Sequence, residues 1–268
     1  MSLFSTEVAV TQVAEGHYQG HVHSAWNIGD KPNGGYLLSL ATRALSAAVS
    51  HPDPISVTTH YLRPGIPDAP CDIHVQVLRA GRTVSTARAT LSQAGKPRLE
   101  VLAAFSDLAV AAGVDTDITL SPAVIPGPDA CVQRDGAAQG IDIAIRSRLD
   151  VRLHPSLAQP GNARVAEISG WIRFADGSEP DARSLLLFTD TFPPSPFGVL
   201  GVVGWVPTLE LTVHVRRRPA PGWIQARFTT DDLHAGRMIE TGCLWDSTGA
   251  LVAQSRQLGL VLQSGQAS

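Results

Sequence analysis

Apolar and polar side chains alternate along most of this chain, with the period of two that marks strands rather than helices. Residues 7–25 read as two short strands about the turn Glu15-Gly16. Four runs follow, Ile55–Leu62, Cys71–Arg79, Arg82–Gln93 and Arg98–Phe105, separated by Pro- and Gly-rich breaks short enough to make the strands antiparallel neighbours. Further on, strands are predicted at Ile141–Ile145, Leu149–Leu153, Ala163–Phe174, Thr208–Val215, Trp223–Thr230, Arg237–Trp245 and Leu251–Leu262. Two segments break the alternation. Tyr36–Val49 is apolar on nearly every side, with Arg43 its only charge, and predicts a helix buried over most of its surface. Asn33, in the turn-rich stretch before it, is placed to cap it. A second, shorter helix is predicted from Ala182 to about Thr189, after Pro180-Asp181.

The order strands, helix, four strands therefore occurs twice. Residues recur as well. Leu78-Arg79-Ala80-Gly81-Arg82-Thr83-Val84-Ser85-Thr86 aligns with Leu233-His234-Ala235-Gly236-Arg237-Met238-Ile239-Glu240-Thr241 at an offset of 155. At an offset of 154, His60 meets His214 and Arg63 meets Arg217. A repeat of this size is a domain duplication, and the one-residue shift is what a turn insertion leaves. The expected division is an N-terminal half at 1–106, a linker at 107–140 rich in Ala, Gly, Pro and Asp, and a C-terminal half at 141–268. In each half an apolar helix must bury its whole surface, and an antiparallel sheet curled around it does so. The fold class is accordingly α+β, a double hotdog of two antiparallel sheets, each wrapped around a buried helix.

Composition narrows the function. With 21 basic and 24 acidic side chains, the net charge of -3 provides no basic surface for nucleic acid. Cys71, Cys131 and Cys243 form no CxxC pair, so neither a disulfide framework nor a zinc cluster is expected. The first sixteen residues lack the basic start and apolar core of a signal peptide, and no long apolar run spans a membrane, which predicts a cytoplasmic protein. His21 and His23 share a strand face, but no third ligand keeps suitable spacing, so no metal site is expected. No Gly-x-Ser-x-Gly elbow, GxGxxG or Walker A pattern occurs, and no cofactor is implied.

Pro32-Asn33-Gly34-Gly35-Tyr36-Leu37, opening the buried helix, resembles the thioesterase-like superfamily. So do Gly170-Trp171-Ile172-Arg173-Phe174, Leu186-Leu187-Phe188-Thr189-Asp190 and Pro193-Pro194 in that order. Within the superfamily the chain looks like the double-hotdog acyl-CoA thioesterases of the thioesterase II type. The resemblance implies an Asp at the end of the second helix, a hydroxyl opening the next strand and a Gln in the last strand. Asp190, Thr208 and Gln257 occupy those positions.

What the resemblance implies can be set against what the residues offer. Asp190 is suited to act as general base on a water that Thr208 and Gln257 hold, and a place at the negative end of a helix dipole would raise its pKa. A helix-terminal Asp that caps the following turn is the plainer alternative. The backbone N–H groups of Asn33, Gly34, Gly35 and Tyr36 at a helix N-terminus suit a carbonyl or oxyanion, or serve only as an ordinary cap with glycines for the tight turn. Arg216 and Arg217, in the one basic run, are candidates for the phosphates of coenzyme A, or mark a solvated hairpin end. The expected reaction is hydrolysis of an acyl-CoA. A non-hydrolytic acyl-CoA or acyl-chain binding protein and a hotdog hydratase or dehydratase remain as alternatives. Exposed sheet edges predict a homo-oligomer, a dimer in the simplest case.

Overall fold

The computed structural model describes residues 2–111, 113–114, 116–136, 140–201 and 206–262. The first half opens with a short helix α1 (Leu3–Glu7) and strands β1 (Thr11–Ala14) and β2 (His17–Val22). A two-residue hairpin, β3 (Asn27–Ile28) with β4 (Lys31–Pro32), leads into helix α2 (Gly34–Ala48). Strands β5 (Asp53–Tyr61), β6 (Ala69–Ala80), β7 (Ser85–Gln93) and β8 (Lys96–Ser106) complete it. The later elements are β9 (Val132–Gln133), β10 (Leu149–Leu153), β11 (Glu167–Phe174), α3 (Ser184–Phe188), α4 (Phe197–Leu200), β12 (Thr208–Val215), β13 (Ile224–His234), β14 (Arg237–Trp245) and β15 (Leu251–Leu260).

Two sheets were expected, one per half, and apart from the β3–β4 hairpin the strands join in one. Its thirteen strands run β1-β2-β6-β7-β8-β5-β12-β15-β14-β13-β11-β10-β9, with every recorded neighbour antiparallel. The reason lies at the centre. β5 and β12 pair from His60↔Glu210 to Ser56↔His214, so each half satisfies the other's exposed backbone edge. The order reads alike from the centre outward, β5-β8-β7-β6 on one side and β12-β15-β14-β13 on the other, as a duplication requires.

The buried face of each strand explains where the helices sit. Along β7, Ala87, Ala89 and Leu91 point inward, and Val101, Ala103 and Phe105 do so on β8. The small alanines leave room for α2, which packs across β5, β6, β7 and β8. Leu37, Leu38, Leu40 and Leu45 of α2 are buried, each worth about 1.5–3 kcal/mol against exposure. At Gly35 the helix meets α3 closely. A Cβ there would stand 3.0 Å from the carbonyl oxygen of Leu187 and 3.1 Å from its Cα.

Local differences from the expected elements have local causes. The second helix is only five residues long, because the Asp181 carboxylate accepts from the Arg183 and Ser184 N–H groups (3.0 and 2.7 Å) and fixes a late start. Ile141–Ile145 is not a strand. Ala144–Ser147 is a 3-10 turn, with Ile143 and Ile145 buried. A five-residue apolar run does not by its period distinguish these states. The shared Ala-Gly-Arg residues also build different turns. β13 and β14 are joined by Ala235 and Gly236 alone, both at positive φ, whereas four residues separate β6 from β7.

Segment 107–140 is the expected linker between the halves. Parts of it are fastened along the sheet. Trp245 Nε1 donates to Leu120 O (2.8 Å), Gln225 Nε2 to Ala123 O (2.6 Å) and Trp171 Nε1 to Pro126 O (2.8 Å). Three side chains of the second half thus hold successive carbonyls, and β9 then pairs with β10. No helix among the described residues is long and apolar enough to cross a membrane.

Candidate active site

A cavity of about 270 Å³ opens where the N-terminus of α2, the end of β5 and the start of β12 converge. Asn33, Gly34, Asp190, Thr208 and Gln257 all line it, so residues from both halves meet at one place. Leu37, Ile141, Phe192, Phe197, Val206 and Phe228 give it an apolar wall.

Asp190 is bound by the other half of the molecule. Its Oδ2 accepts from the Gly35 N–H (2.8 Å) and from Asn33 Nδ2 (3.1 Å), and Asn33 Nδ2 also donates to its backbone carbonyl (2.7 Å). The carboxylate therefore sits on the positive end of α2, a fifteen-residue helix. Asp190 keeps some surface toward the cavity, but its carboxylate has lost most of its water. Burial is the main cause that raises its pKa to about 7, and Glu240 raises it further. The bonds from Gly35 and Asn33 and the charge of Arg134 pull the other way. The direction agrees with the expectation, but the cause differs. The dipole that matters belongs to α2, and it favours the charged form. Nor does the carboxylate simply cap its own turn.

Thr208 is the first residue of β12, and Gln257 lies on the neighbouring strand β15. Gln257 Nε2 donates to Thr208 Oγ1 at 2.5 Å. That bond orients both groups and leaves the hydroxyl proton and the amide oxygen for a further partner.

The expected row of backbone donors is mostly engaged. Gly35 N–H holds Asp190, and Tyr36 N–H donates to Asn33 Oδ1 (2.9 Å), the cap of α2. Of the three groups that follow Asn33, only Gly34 N–H is left to face a ligand. Tyr36 does not reach the cavity with its side chain. Its ring stacks on Trp26 at 5.0 Å, and its hydroxyl donates to Glu7 O (2.9 Å) and accepts from His23 N (3.1 Å). It is a core residue, which corrects its assignment to the substrate.

Arg216 and Arg217 are corrected too. They follow Val215, at the opposite end of β12 from Thr208 and roughly 25 Å along the strand. There they border a separate polar groove with Thr116, Asp117 and His214, and Arg217 pairs with Asp117 at 2.8 Å.

Three residues at the cavity escaped the reading of the sequence. Arg134 comes from segment 107–140, donates to Thr191 O and has its pKa lowered to about 10 by burial, against the opposing influence of Asp190. Glu240 on β14 is buried, accepts from Ser195 N–H (2.7 Å) and has its pKa raised by burial. A signal for it existed: the repeat aligns Glu240 with Ser85, a carboxylate where the first half has a small hydroxyl. Tyr61 ends β5 and borders the cavity.

Residues 22–106 match the family model of the acyl-CoA thioesterase N-terminal domain, and residues 128–261 that of the C-terminal domain. A Thermobifida fusca protein assigned as a thioesterase II is 31% identical, with a TM-score of 0.88 over 98% of both chains. A hotdog-fold protein of unknown function from Alicyclobacillus acidocaldarius superposes with a TM-score of 0.85 over 98% of both chains at 20% identity. An uncharacterised protein of Mycobacterium tuberculosis is 27% identical over 266 residues, covering 91% of this chain and 90% of that one. The chain belongs to the acyl-CoA thioesterases with the hotdog fold, and within them to the double-hotdog thioesterase II type. It is a thioester hydrolase.

Proposed function

We propose that this protein hydrolyses an acyl-CoA to the free acid and CoA, with Asp190 activating the water that Thr208 and Gln257 hold. The observation that carries this reading is the meeting of Asp190, Thr208 and Gln257 in one cavity with the N-terminus of α2. Asp190 is the only one of the three that can take a proton near neutrality, and its pKa of about 7 suits that work. As the water oxygen attacks the thioester carbonyl carbon, its proton passes to the Asp190 carboxylate. The carbonyl oxygen becomes an oxyanion facing the Gly34 N–H. When the tetrahedral centre collapses, the C–S bond breaks and the leaving sulfur recovers the proton from Asp190. The apolar wall from Leu37 to Phe228 takes the acyl group. We take the chain to work as a cytoplasmic homodimer divided at 1–106, 107–140 and 141–268.

A His-dependent hydration or dehydration finds less support, because no histidine is among the described residues that line the cavity. The test is release of free thiol from acyl-CoAs of graded chain length by the wild type and Asp190→Asn. Release by the wild type and its loss in the variant is the expected result. Equal rates in both would remove Asp190 from the mechanism, and no release from any acyl-CoA would remove acyl-CoA as the substrate.

A further inference from the structure

Several polar side chains of the cavity are left unused by the scheme above, and Tyr61 is the one whose hydroxyl stands out. Tyr61 lines the cavity, and the Tyr61 hydroxyl is buried with no hydrogen-bond partner among the described residues. A buried hydroxyl without a partner costs stability that a phenylalanine would not lose. The ring alone would pack the site equally well. The described protein groups give the oxygen no acceptor, and a carbonyl that enters the cavity could supply one.

Its placement identifies the acceptor. Tyr61 is the last residue of β5, one beyond the last β5–β12 pair, His60↔Glu210, and still pairs with Leu99 of β8, which puts it beside the start of β12 where Thr208 stands. The strand end is anchored, since Leu62 N–H and Arg63 N–H both donate to Arg98 O (2.7 and 3.2 Å). Gly34 sits between the ring and the carboxylate. A Cβ on Gly34 would stand 3.0 Å from Tyr61 Cε1 and Cζ and 2.9 Å from Asp190 Oδ2. The phenol carbon that carries the hydroxyl thus touches the first residue of α2, whose N–H also faces the cavity. Opposite stands the carboxylate that would drive the water.

We propose that Tyr61 is a further catalytic residue, whose O–H donates a hydrogen bond to the thioester carbonyl oxygen and strengthens it as that oxygen becomes an oxyanion. No proton is transferred by Tyr61, so the balance of the hydrolysis is unchanged. The inference rests on the acyl-CoA hydrolase reading. Burial, with a smaller contribution from Asp190, holds the phenol's pKa well above 10, so it stays a donor across the working range.

The test combines kinetics with two unreactive analogues, one with a methylene replacing the thioester sulfur so that the carbonyl is kept, the other a thioether with a methylene replacing the carbonyl. Tyr61→Phe is expected to lower kcat by about 10²-fold with KM little changed, as for loss of one oxyanion donor. Its melting temperature is expected to equal or exceed that of the wild type. The wild type should bind the ketone more tightly than the thioether, and Tyr61→Phe should lose that preference. A role in packing alone would move the melting temperature and leave the preference intact. If the wild type releases thiol, Asp190→Asn does not, and Tyr61→Phe keeps both wild-type kcat and the ketone preference, the Tyr61 inference falls while the hydrolase reading stands. A wild type that cleaves no acyl-CoA overturns the hydrolase reading first. Should Tyr61→Phe fail to fold, fluorotyrosine at position 61 keeps the shape and makes a stronger donor, and an unchanged ketone preference there would overturn the inference.

Discussion

The hydroxyls of Thr58 and Thr212 stand 2.9 Å apart, and the two residues are separated by 154 positions. That separation equals the repeat offset that aligns His60 with His214, and Thr58 and Thr212 are also direct partners across β5 and β12. A residue paired with its own repeat equivalent marks the pseudo-two-fold axis. The axis of the duplication therefore passes between these two threonines, at the centre of the thirteen-stranded sheet. Replacing either by Val should cost about 0.5–1.5 kcal/mol. The double variant should cost less than the sum, because the bond between the two hydroxyls can be lost only once, while the bond from Thr212 Oγ1 to Glu210 makes Thr212→Val the costlier single change. Urea denaturation of the four proteins checks this, and strict additivity would show that the hydroxyls do not interact.

With Asp190 as the proposed base, the pH dependence of hydrolysis can be predicted. The base must be ionised, so kcat/KM is expected to fall as pH drops through about 7. Neighbouring charges should move that limb in opposite directions. Arg134→Gln removes a positive charge that favours the carboxylate and should shift it to higher pH, whereas Glu240→Gln removes a charge that opposes it and should shift it lower. A limb that stays in place in both variants would assign it to another group.

Stability carries the same signature with its own sign. The pKa of Asp190 is raised from 3.8 to about 7 on folding, so the folded protein binds this proton more tightly than the unfolded chain. The resulting stabilisation is fully present below about 3.8 and is lost as pH rises through about 7. Asp190→Asn has no such proton. Its melting temperature relative to the wild type is therefore expected to climb with pH across that window, and a constant difference from mildly acidic to mildly alkaline pH would contradict the raised pKa.

The two glycines that open α2 should fail in different ways. A Cβ at Gly34 meets the Asp190 carboxylate and the Tyr61 ring, so Gly34→Ala is expected to lose at least about tenfold in kcat/KM while still folding, helped by the better helix propensity of alanine. A Cβ at Gly35 meets the backbone of Leu187, which cannot swing aside. Gly35→Ala should push α2 from α3 and lower the melting temperature by several degrees, as a loss of about 1–3 kcal/mol would. Steady-state kinetics and thermal melting separate the two.

Arg216→Ala and Arg217→Ala should leave KM for acyl-CoA unchanged, because both residues lie at the far end of β12 from Thr208. A rise in KM for either would bring coenzyme A to that groove.

What could be read in advance followed from how local its cause was. β12 and β14 run over the residues expected, and α2 lies within two residues of its expected start, because alternation and the Asn33 cap are written in neighbouring positions. Asp190, Thr208, Gln257, Asn33 and Gly34 were named and do share a cavity, on a family resemblance as much as on spacing. The bond from Gly35 to Asp190 spans 155 residues and has no local signal. Arg134 was hidden for a related reason. Its segment has no period of its own and gets its path from Trp171, Gln225 and Trp245, which lie far along the chain. Tyr61 looked like one more aromatic residue at a strand end, and only the cavity and the unpaired hydroxyl single it out.

The Gly35–Asp190 contact also ties the proposed base to the joining of the two halves. In a chain whose second half has formed but whose first has not, Asp190 has neither the amide donors of α2 nor the enclosure that lifts its pKa. It is then an ordinary surface acid, too weak a base to serve. The enclosure that raises the pKa forms when the N-terminus of α2 packs over Asp190, so the proposed base depends on the two halves meeting. On the proposed mechanism, a chain whose halves have not yet met would therefore lack its base.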